Sequence, residues 1–333
     1  MTINRRWLLA RYPSGVPTAD AFRMESGPVP TPGPGQALVR TMYASVDPYI
    51  RGRMRNVRSY VPPFQIGDVI DGDVVGEVIA SNAPTIKTGS FVAGRLGWQE
   101  YGVAGPELLR PASPEPGGLS AHLGVLGMTG LTAYFGLLNV GALKEGETVV
   151  VSGAAGAVGS VVGQIARLKG ARAVGIAGSD EKVDFLKTIG FDAAVNYKSA
   201  GNLRKALREA CPRGIDVYFD NVGGEISDAA ITLINRGARI PICGQIASLN
   251  RERPELGPRS GPLYLLINRA RMEGFLVMDY AEQYPAAVAE LSGWLKEGRL
   301  QHRETVLNGF ENIPKAFIGL FSGANTGKQI VKL

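Results

Sequence analysis

The chain has 333 residues, long for one hydrophobic core and suited to two domains of the usual ~100–200 residues. Glycine is the outlier, at 44 residues against a usual ~7%, yet 45% hydrophobic and 20% charged residues exclude a disordered linker protein, and no Gly-X-Y period allows a collagen. A formal net charge of +6 is mild and scattered, unlike that of a nucleic-acid binder, while two cysteines and two histidines leave neither a disulfide framework nor a ligand set for zinc.

The chain opens on Met1-Thr-Ile-Asn-Arg-Arg-Trp7, without the apolar stretch of a signal peptide, so a cytoplasmic location is expected. Short β-type runs follow, such as Gln36-Ala-Leu-Val-Arg-Thr-Met-Tyr43 and Gly72-Asp-Val-Val-Gly-Glu-Val-Ile-Ala80, separated by Pro/Gly turns. They predict an all-β, barrel-like module without long helices. The densest basic run, Arg51-Gly-Arg-Met-Arg-Asn-Val-Arg58, reads as an anion patch or, at least as well, as a solvated loop. Residues 119–143 are apolar but interrupted by five glycines, so they read as buried protein rather than a membrane span.

From about residue 146 the rhythm changes. Strands are predicted at 148–152, 172–177, 193–197, 215–220, 238–243 and 273–278, with helices at 158–168, 180–188, 202–210, 226–234 and 282–296. Such alternation predicts an α/β domain, a doubly wound parallel sheet covered on both faces. The tail, 301–333, is expected to return to strand-like pieces ending in Lys328-Gln-Ile-Val-Lys-Leu333.

The run Val149-Val-Val-Ser-Gly153-Ala-Ala-Gly156-Ala-Val-Gly159 carries the most chemistry. A buried strand enters a glycine turn that opens a helix, the context in which three glycines make a dinucleotide site. Gly153 suits the tight turn, Gly156 lets a pyrophosphate approach, and Gly159 lets helix and strand pack. Ala157 and Val158 complete the loop. An NAD site expects a carboxylate at the end of the second strand, but here Ala177-Gly178-Ser179 ends it and Lys182 follows. A small strand end beside a cation favours NADP.

The arrangement resembles the medium-chain dehydrogenase/reductase superfamily. The resemblance implies a GroES-like β-barrel domain over 1–122, completed by 301–333, and a Rossmann domain over 123–300. Zinc members carry Cys and a His-Glu pair where this chain has Ala44-Ser-Val-Asp-Pro-Tyr-Ile-Arg51 and Ile66-Gly-Asp-Val69. Neither stretch contains Cys or His, so no zinc is expected. Several runs are similar to a zinc-independent branch, the prostaglandin/leukotriene, 2-alkenal and curcumin reductases: Ser45-Val-Asp-Pro-Tyr49, Gly124-Val-Leu-Gly-Met128-Thr-Gly-Leu-Thr132, Gly178-Ser-Asp-Glu-Lys182, Tyr218-Phe-Asp-Asn221 and Arg271-Met-Glu-Gly-Phe275.

That resemblance implies an NADPH-dependent reductase of the C=C bond in α,β-unsaturated ketones and aldehydes. A quinone reductase or zinc-free secondary-alcohol dehydrogenase is the alternative, with a non-catalytic NADP-binding module more remote. It implies that Gly156, Ala157, Val158 and Gly159 cradle the pyrophosphate, with Ser179, Lys182 and Tyr197 around the 2′-phosphate. Asn221 would hold the adenosine side, and Met128 and Thr132 the nicotinamide ribose and amide. Cys243, Gly244, Gln245 and Ile246 would line the nicotinamide end with Phe275, Leu276 and Val277, and Asn325 would reach back from the tail. Thr129 departs from the proline many relatives have there. The catalytic candidate is Tyr49, a neutral phenol able to donate to a carbonyl oxygen, with Tyr60 and Tyr264 as pocket partners. Packing is the other reading of each tyrosine. A homodimer is expected from the resemblance, and neither nucleic acid nor membrane is expected as a partner.

Overall fold

In the computed structural model, which describes residues 2–57, 59–251 and 261–333, the chain divides into two units. The first comprises Met1–Leu123, Glu304–Asn325 and Gln329–Leu333, and the second Gly124–Arg303 with Thr326–Lys328. In chain order the first unit supplies β1 (Ile3–Leu9), β2 (Phe22–Pro28), β3 (Ala37–Ser45), α1 (Tyr49–Arg53), β4 (Asp73–Ser81), β5 (Phe91–Arg95), β6 (Tyr101–Ala104) and β7 (Leu109–Ala112). The second supplies α2 (Met128–Phe135), β8 (Thr148–Val151), α3 (Ala157–Leu168), β9 (Arg172–Ala177), α4 (Asp180–Thr188), β10 (Ala193–Asn196), α5 (Leu203–Ala210) and β11 (Ile215–Phe219). It continues through α6 (Gly224–Ile231), β12 (Ile234–Ile242), α7 (Gly261–Asn268), β13 (Arg271–Gly274) and α8 (Tyr284–Lys296). The tail adds β14 (Glu304–Asn308), α9 (Ile313–Leu320) and β15 (Lys328–Lys332).

In the first unit, β1 and β2 pair antiparallel, and a second sheet runs β14-β15-β3-β4-β5-β7 with β6 also on β3. Its core gathers around Trp98, which is fully buried, packs edge-on to Phe317 at 5.6 Å and donates its indole N–H to the Ser45 carbonyl at 3.0 Å. A buried indole needs such an acceptor, because an unpaired polar group away from water is costly. The tail holds a helix that the strand-like reading of 301–333 missed. Pro314 sits in the first turn of α9, where a missing N–H costs nothing, and Ile313, Ala316 and Phe317 bury one helical face.

The expected doubly wound sheet is present in the second unit. Six parallel strands take the order β10-β9-β8-β11-β12-β13. Every residue of β8 is buried, as a central parallel strand requires. The chain winds outward from β8 to β10, then restarts beside β8 with β11. The crevice at the carboxyl ends of β8 and β11 is therefore the switch point at which such sheets bind ligands. Two boundaries depart from expectation. The helix expected to reach residue 234 stops at Ile231, and β12 starts at Ile234, which pairs with Ile215 ahead of an irregularity that includes Gly237 at φ +76°. The strand expected over 273–278 is Arg271–Gly274, because its ladder ends with Ile242 of β12; a 3₁₀ turn, Val277–Gln283, follows.

Candidate active site

The glycine turn after β8 has the conformation its spacing predicts. Gly153 takes φ +58°, a left-handed geometry that glycine adopts without strain. A Cβ on Gly159 would stand 2.5 Å from the Gly153 carbonyl oxygen and 2.7 Å from Ala154 Cα, so α3 meets the turn at a distance only glycine allows. Gly156 caps α3 with no side-chain bond, and the first turn, opened by Ala157 and Val158, carries no acidic residue. The outward N–H groups and positive dipole end are thereby left to an anion. A strip of the tail is stitched to this loop: Gly327 N–H donates to the Ala155 carbonyl at 2.7 Å, and Gly156 and Gly327 form a parallel bridge. Gly327 is at φ +71°, and a Cβ there would be 1.9 Å from the Arg303 carbonyl oxygen.

At the end of β9, Gly178 lies against the Tyr197 ring and Lys198; a Cβ on it would reach Tyr197 Cε1 at 3.0 Å and Lys198 Cε at 3.4 Å. Ser179 Oγ caps α4 by accepting the Lys182 N–H at 3.3 Å. Burial and the charge of Lys198 lower the pKa of Lys182, with Glu181 opposing them. Two cations and a phenol thus crowd a strand end that has no carboxylate, which fits a phosphorylated ribose. Lys198 was not anticipated, although it follows Tyr197 directly.

A buried carboxylate, also unanticipated, ties the crevice together. Asp220 accepts from Ser152 Oγ at 2.9 Å, Tyr218 Oη at 3.0 Å, and the Val222 and Gly223 N–H groups at 3.0 Å each. It also accepts from Ser227 Oγ at 2.5 Å and Gln245 Nε2 at 3.3 Å. Its backbone carbonyl takes the N–H groups of Cys243 and Gly244 at 2.9 and 3.1 Å. Asn221 joins in, donating its amide to the Ser152 carbonyl at 2.7 Å. The loops after β8, β11 and β12 are therefore fixed to one another.

The remaining candidates fall into place around these loops or away from them. Burial, then the nearby Asp220 charge, pushes the Cys243 thiol up to about 12, so it is held neutral and is not a nucleophile. Ile246 continues the Cys243 loop, its N–H directed to the Asn221 carbonyl at 3.5 Å. On α2 the Thr132 hydroxyl donates to the Met128 carbonyl at 2.7 Å. The neighbouring Thr129 is buried and holds the Gly124 carbonyl at 3.0 Å, replacing by a hydrogen bond the rigidity a proline would give. Phe275 turns its ring onto Phe219 and Gly136, in the interior of the second unit, while Leu276 and Val277 are half-buried. Asn325 belongs to the first unit and directly precedes Thr326 of the second.

The three tyrosines divide. Tyr49 opens α1 after Pro48, half-buried on the core of the first unit, with the Arg95 guanidinium carbon 5.7 Å from its ring centroid. Burial, then Asp47 and Asp73, push its pKa well above the ordinary phenol value; Arg95 pulls the other way, and Asp71 adds a smaller upward push. It is a neutral donor at any physiological pH. Tyr60 is 55% exposed in the same unit. Tyr264 lies on α7 and packs against the apolar cluster of the second unit, a packing position. Of the basic run, Arg51 is buried and donates to the carbonyls of Pro13 and Gly15 at 3.1 and 2.9 Å, while Arg53 bonds Asp71. Those two are structural residues, and Arg58 lies outside the described residues.

A doubly wound sheet with a glycine loop at its switch point, joined to a β unit, defines a dinucleotide-dependent oxidoreductase. A family model described as the N-terminal domain of oxidoreductase matches residues 5–111, and one described as zinc-binding dehydrogenase matches residues 157–293. YfmJ of Bacillus subtilis, named as an NADP-dependent oxidoreductase, is 54% identical over 100% of this chain and 99% of its own. The NADPH-dependent curcumin reductase of Escherichia coli is 44% identical over 99% and 97%. The crystal structure of CurA from Vibrio vulnificus in complex with NADPH superposes with a TM-score of 0.93 at 44% identity, over 98% of each chain. The chain belongs to the zinc-independent branch of the medium-chain dehydrogenase/reductase family. Among the described residues no group of three or more His, Cys, Asp or Glu is placed to hold a metal ion.

Replacing Asp220 by Ala strips six donors of their acceptor. Denaturant unfolding is expected to show a loss of about 3 kcal/mol or more, and a loss under 1 kcal/mol would mean that water can replace the carboxylate.

Proposed function

We propose that the protein reduces the C=C bond of α,β-unsaturated ketones and aldehydes with NADPH. The observation that carries this reading is Tyr49: a phenol held neutral, beside an arginine, in a chain whose two cysteines and two histidines give no ligand set for zinc. The curcumin reductase relative and the NADPH complex of CurA support the same reading. NADPH, when bound, supplies the hydride that goes to the β-carbon. The Gly156–Gly159 turn would hold its pyrophosphate, and Lys182, Lys198, Tyr197 and Ser179 its 2′-phosphate. The reading assigns Tyr49 to the substrate carbonyl. Its hydroxyl donates to the oxygen on which negative charge gathers, and the α-carbon then takes a proton from that hydroxyl or from water. Tyr264, packed on the apolar cluster of the second unit, and the exposed Tyr60 have no part in the proton transfer in this reading.

The test is NADPH and NADH consumption across a panel of enals, enones, quinones and secondary alcohols, with Tyr49→Phe beside the wild type. Enone reduction with NADPH is expected, falling about a hundredfold in Tyr49→Phe; activity on quinones alone overturns the reading, and an unimpaired variant overturns the donor role of Tyr49. Lys182→Ala is expected to weaken NADPH binding by about tenfold or more, as loss of a charged hydrogen bond does, and to leave NADH binding unchanged. Its lowered pKa also sets a sign. The cation is lost as pH rises, so NADPH affinity is expected to fall at a lower pH than an ordinary lysine would dictate, as a binding titration against pH would read.

We also propose that the protein is a homodimer. All four residues of β13, at the sheet edge, are exposed, and α7 presents Leu263, Leu266 and Ile267 at 56%, 74% and 57% exposure. A second β13 would continue the sheet and cover that helix. Leu266→Glu with Ile267→Glu is expected to give a monomer by light scattering, where the wild type gives a dimer; a wild-type monomer refutes the proposal.

A further inference from the structure

We propose that Arg95 is a positioning residue for the reaction: its guanidinium, anchored on Asp71 and set beside the Tyr49 ring, sets how strongly the Tyr49 hydroxyl donates. The inference rests on the reading of Tyr49 as the donor. Arg95 ends β5 in register with Asp73 of β4, and its Nε stands 2.6 Å from Asp71 Oδ2. Arg53, in the last turn of α1, reaches the same oxygen at 2.5 Å. That arginine is well held without Arg95: its Nε donates to the Pro62 carbonyl at 2.9 Å, and its guanidinium carbon lies 4.0 Å from the Phe64 ring centroid. Arg53 therefore already ties α1 to the segment before β4 and satisfies Asp71. The second guanidinium on one carboxylate oxygen is surplus to that task.

What distinguishes Arg95 is its other neighbour. Around Tyr49 stand three carboxylates, Asp47, Asp71 and Asp73, and each disfavours negative charge on the phenol oxygen. Arg95 is the cation that acts on it in the opposite sense. In the transition state the phenol must give up part of its proton as charge builds on the substrate oxygen. A positive charge 5.7 Å from the ring centroid stabilises that shift, and a neutral side chain of similar length does not. The guanidinium also lies where it can hold the ring by cation–π attraction, which fixes the direction of the hydroxyl. Arg95 thus acts through Tyr49 and needs no contact with the substrate.

The test is a double-mutant cycle on the full chain: wild type, Arg95→Gln, Tyr49→Phe and the double variant, with 4-phenyl-3-buten-2-one and NADPH. Arg95→Gln is expected to lower kcat about tenfold, with KM and the NADPH dissociation constant within about twofold. The solvent deuterium isotope effect on kcat is expected to rise, because proton donation becomes slower relative to the other steps. Arg95→Lys, which keeps the charge, is expected to recover most of the rate. In the Tyr49→Phe background Arg95→Gln is expected to change kcat by no more than about twofold. An equal loss in both backgrounds, or a kcat near wild type in the single variant, overturns the inference while leaving the donor role of Tyr49 intact. A Tyr49→Phe enzyme at the wild-type rate removes the donor reading itself, and the inference with it. If thermal unfolding shows Arg95→Gln to be unfolded, Arg95→Met, which keeps the side-chain length and removes only the charge, runs the same cycle. A loss confined to the background with the hydroxyl supports the inference, and a loss of the same factor in both overturns it.

Discussion

The crevice of the second unit depends on a single buried anion. Asp220, 1% exposed, stands at the end of a central parallel strand, where an unpaired carboxylate would cost several kcal/mol. It is tolerated because three hydroxyls, two backbone N–H groups and one amide surround it. Ser152, Val222, Gly223 and Gln245 belong to the segments after β8, β11 and β12, with Tyr218 on β11 and Ser227 on α6, so the satisfaction of the charge is also the alignment of those segments. Burial and Asp220 hold the Tyr218 phenol well above its ordinary pKa, so it stays a donor to this carboxylate. The Asn221 amide and the Cys243 and Gly244 N–H groups are set by the same residue, through its neighbour and its own carbonyl. Preorganisation of this kind is what a dinucleotide site needs, since a loop already in place does not have to be ordered by the ligand.

How far the molecule could be read from residues alone follows from how local each feature is. The glycine loop was legible because strand, turn and helix are consecutive and each glycine answers a steric need along one stretch of chain, as the close approach of Gly159 to Gly153 shows. The Ser179 cap on α4 was legible for the same reason. Asp220 was not: its partners Ser152 and Gln245 lie 68 and 25 residues away, and no spacing rule announces them. Gly327 and Arg95 are of that kind too, the one defined by Arg303 and Ala155, the other by Asp71 and Tyr49. The helix α9 stands where strand-like pieces were expected, although the spacing of Ile313, Ala316 and Phe317 is helical. The ends of β12 and β13 were misjudged because a ladder, not propensity, decides where a strand stops.

Charge is arranged differently in the two units, and each arrangement suits a different task. At the end of β9 the pKa of Lys182 is lowered, by burial first and by Lys198 second, which means that the folded chain resists holding its charge. Like charges brought together, offset in part by Glu181, destabilise the protein alone and reward a dianion when it arrives, so the site spends folding stability on selectivity. Around Tyr49 the imbalance has the opposite sign. Carboxylates at Asp47, Asp71 and Asp73 secure the proton on the phenol, and a phenol so secured is a dependable donor but a weak acid. A metal-free reductase needs both properties, a hydroxyl that never ionises in the resting protein and one that yields when the substrate oxygen becomes negative. The first follows from burial and the three carboxylates. The second requires a cation near the ring whose field opposes them, and in this unit Arg95 occupies that place.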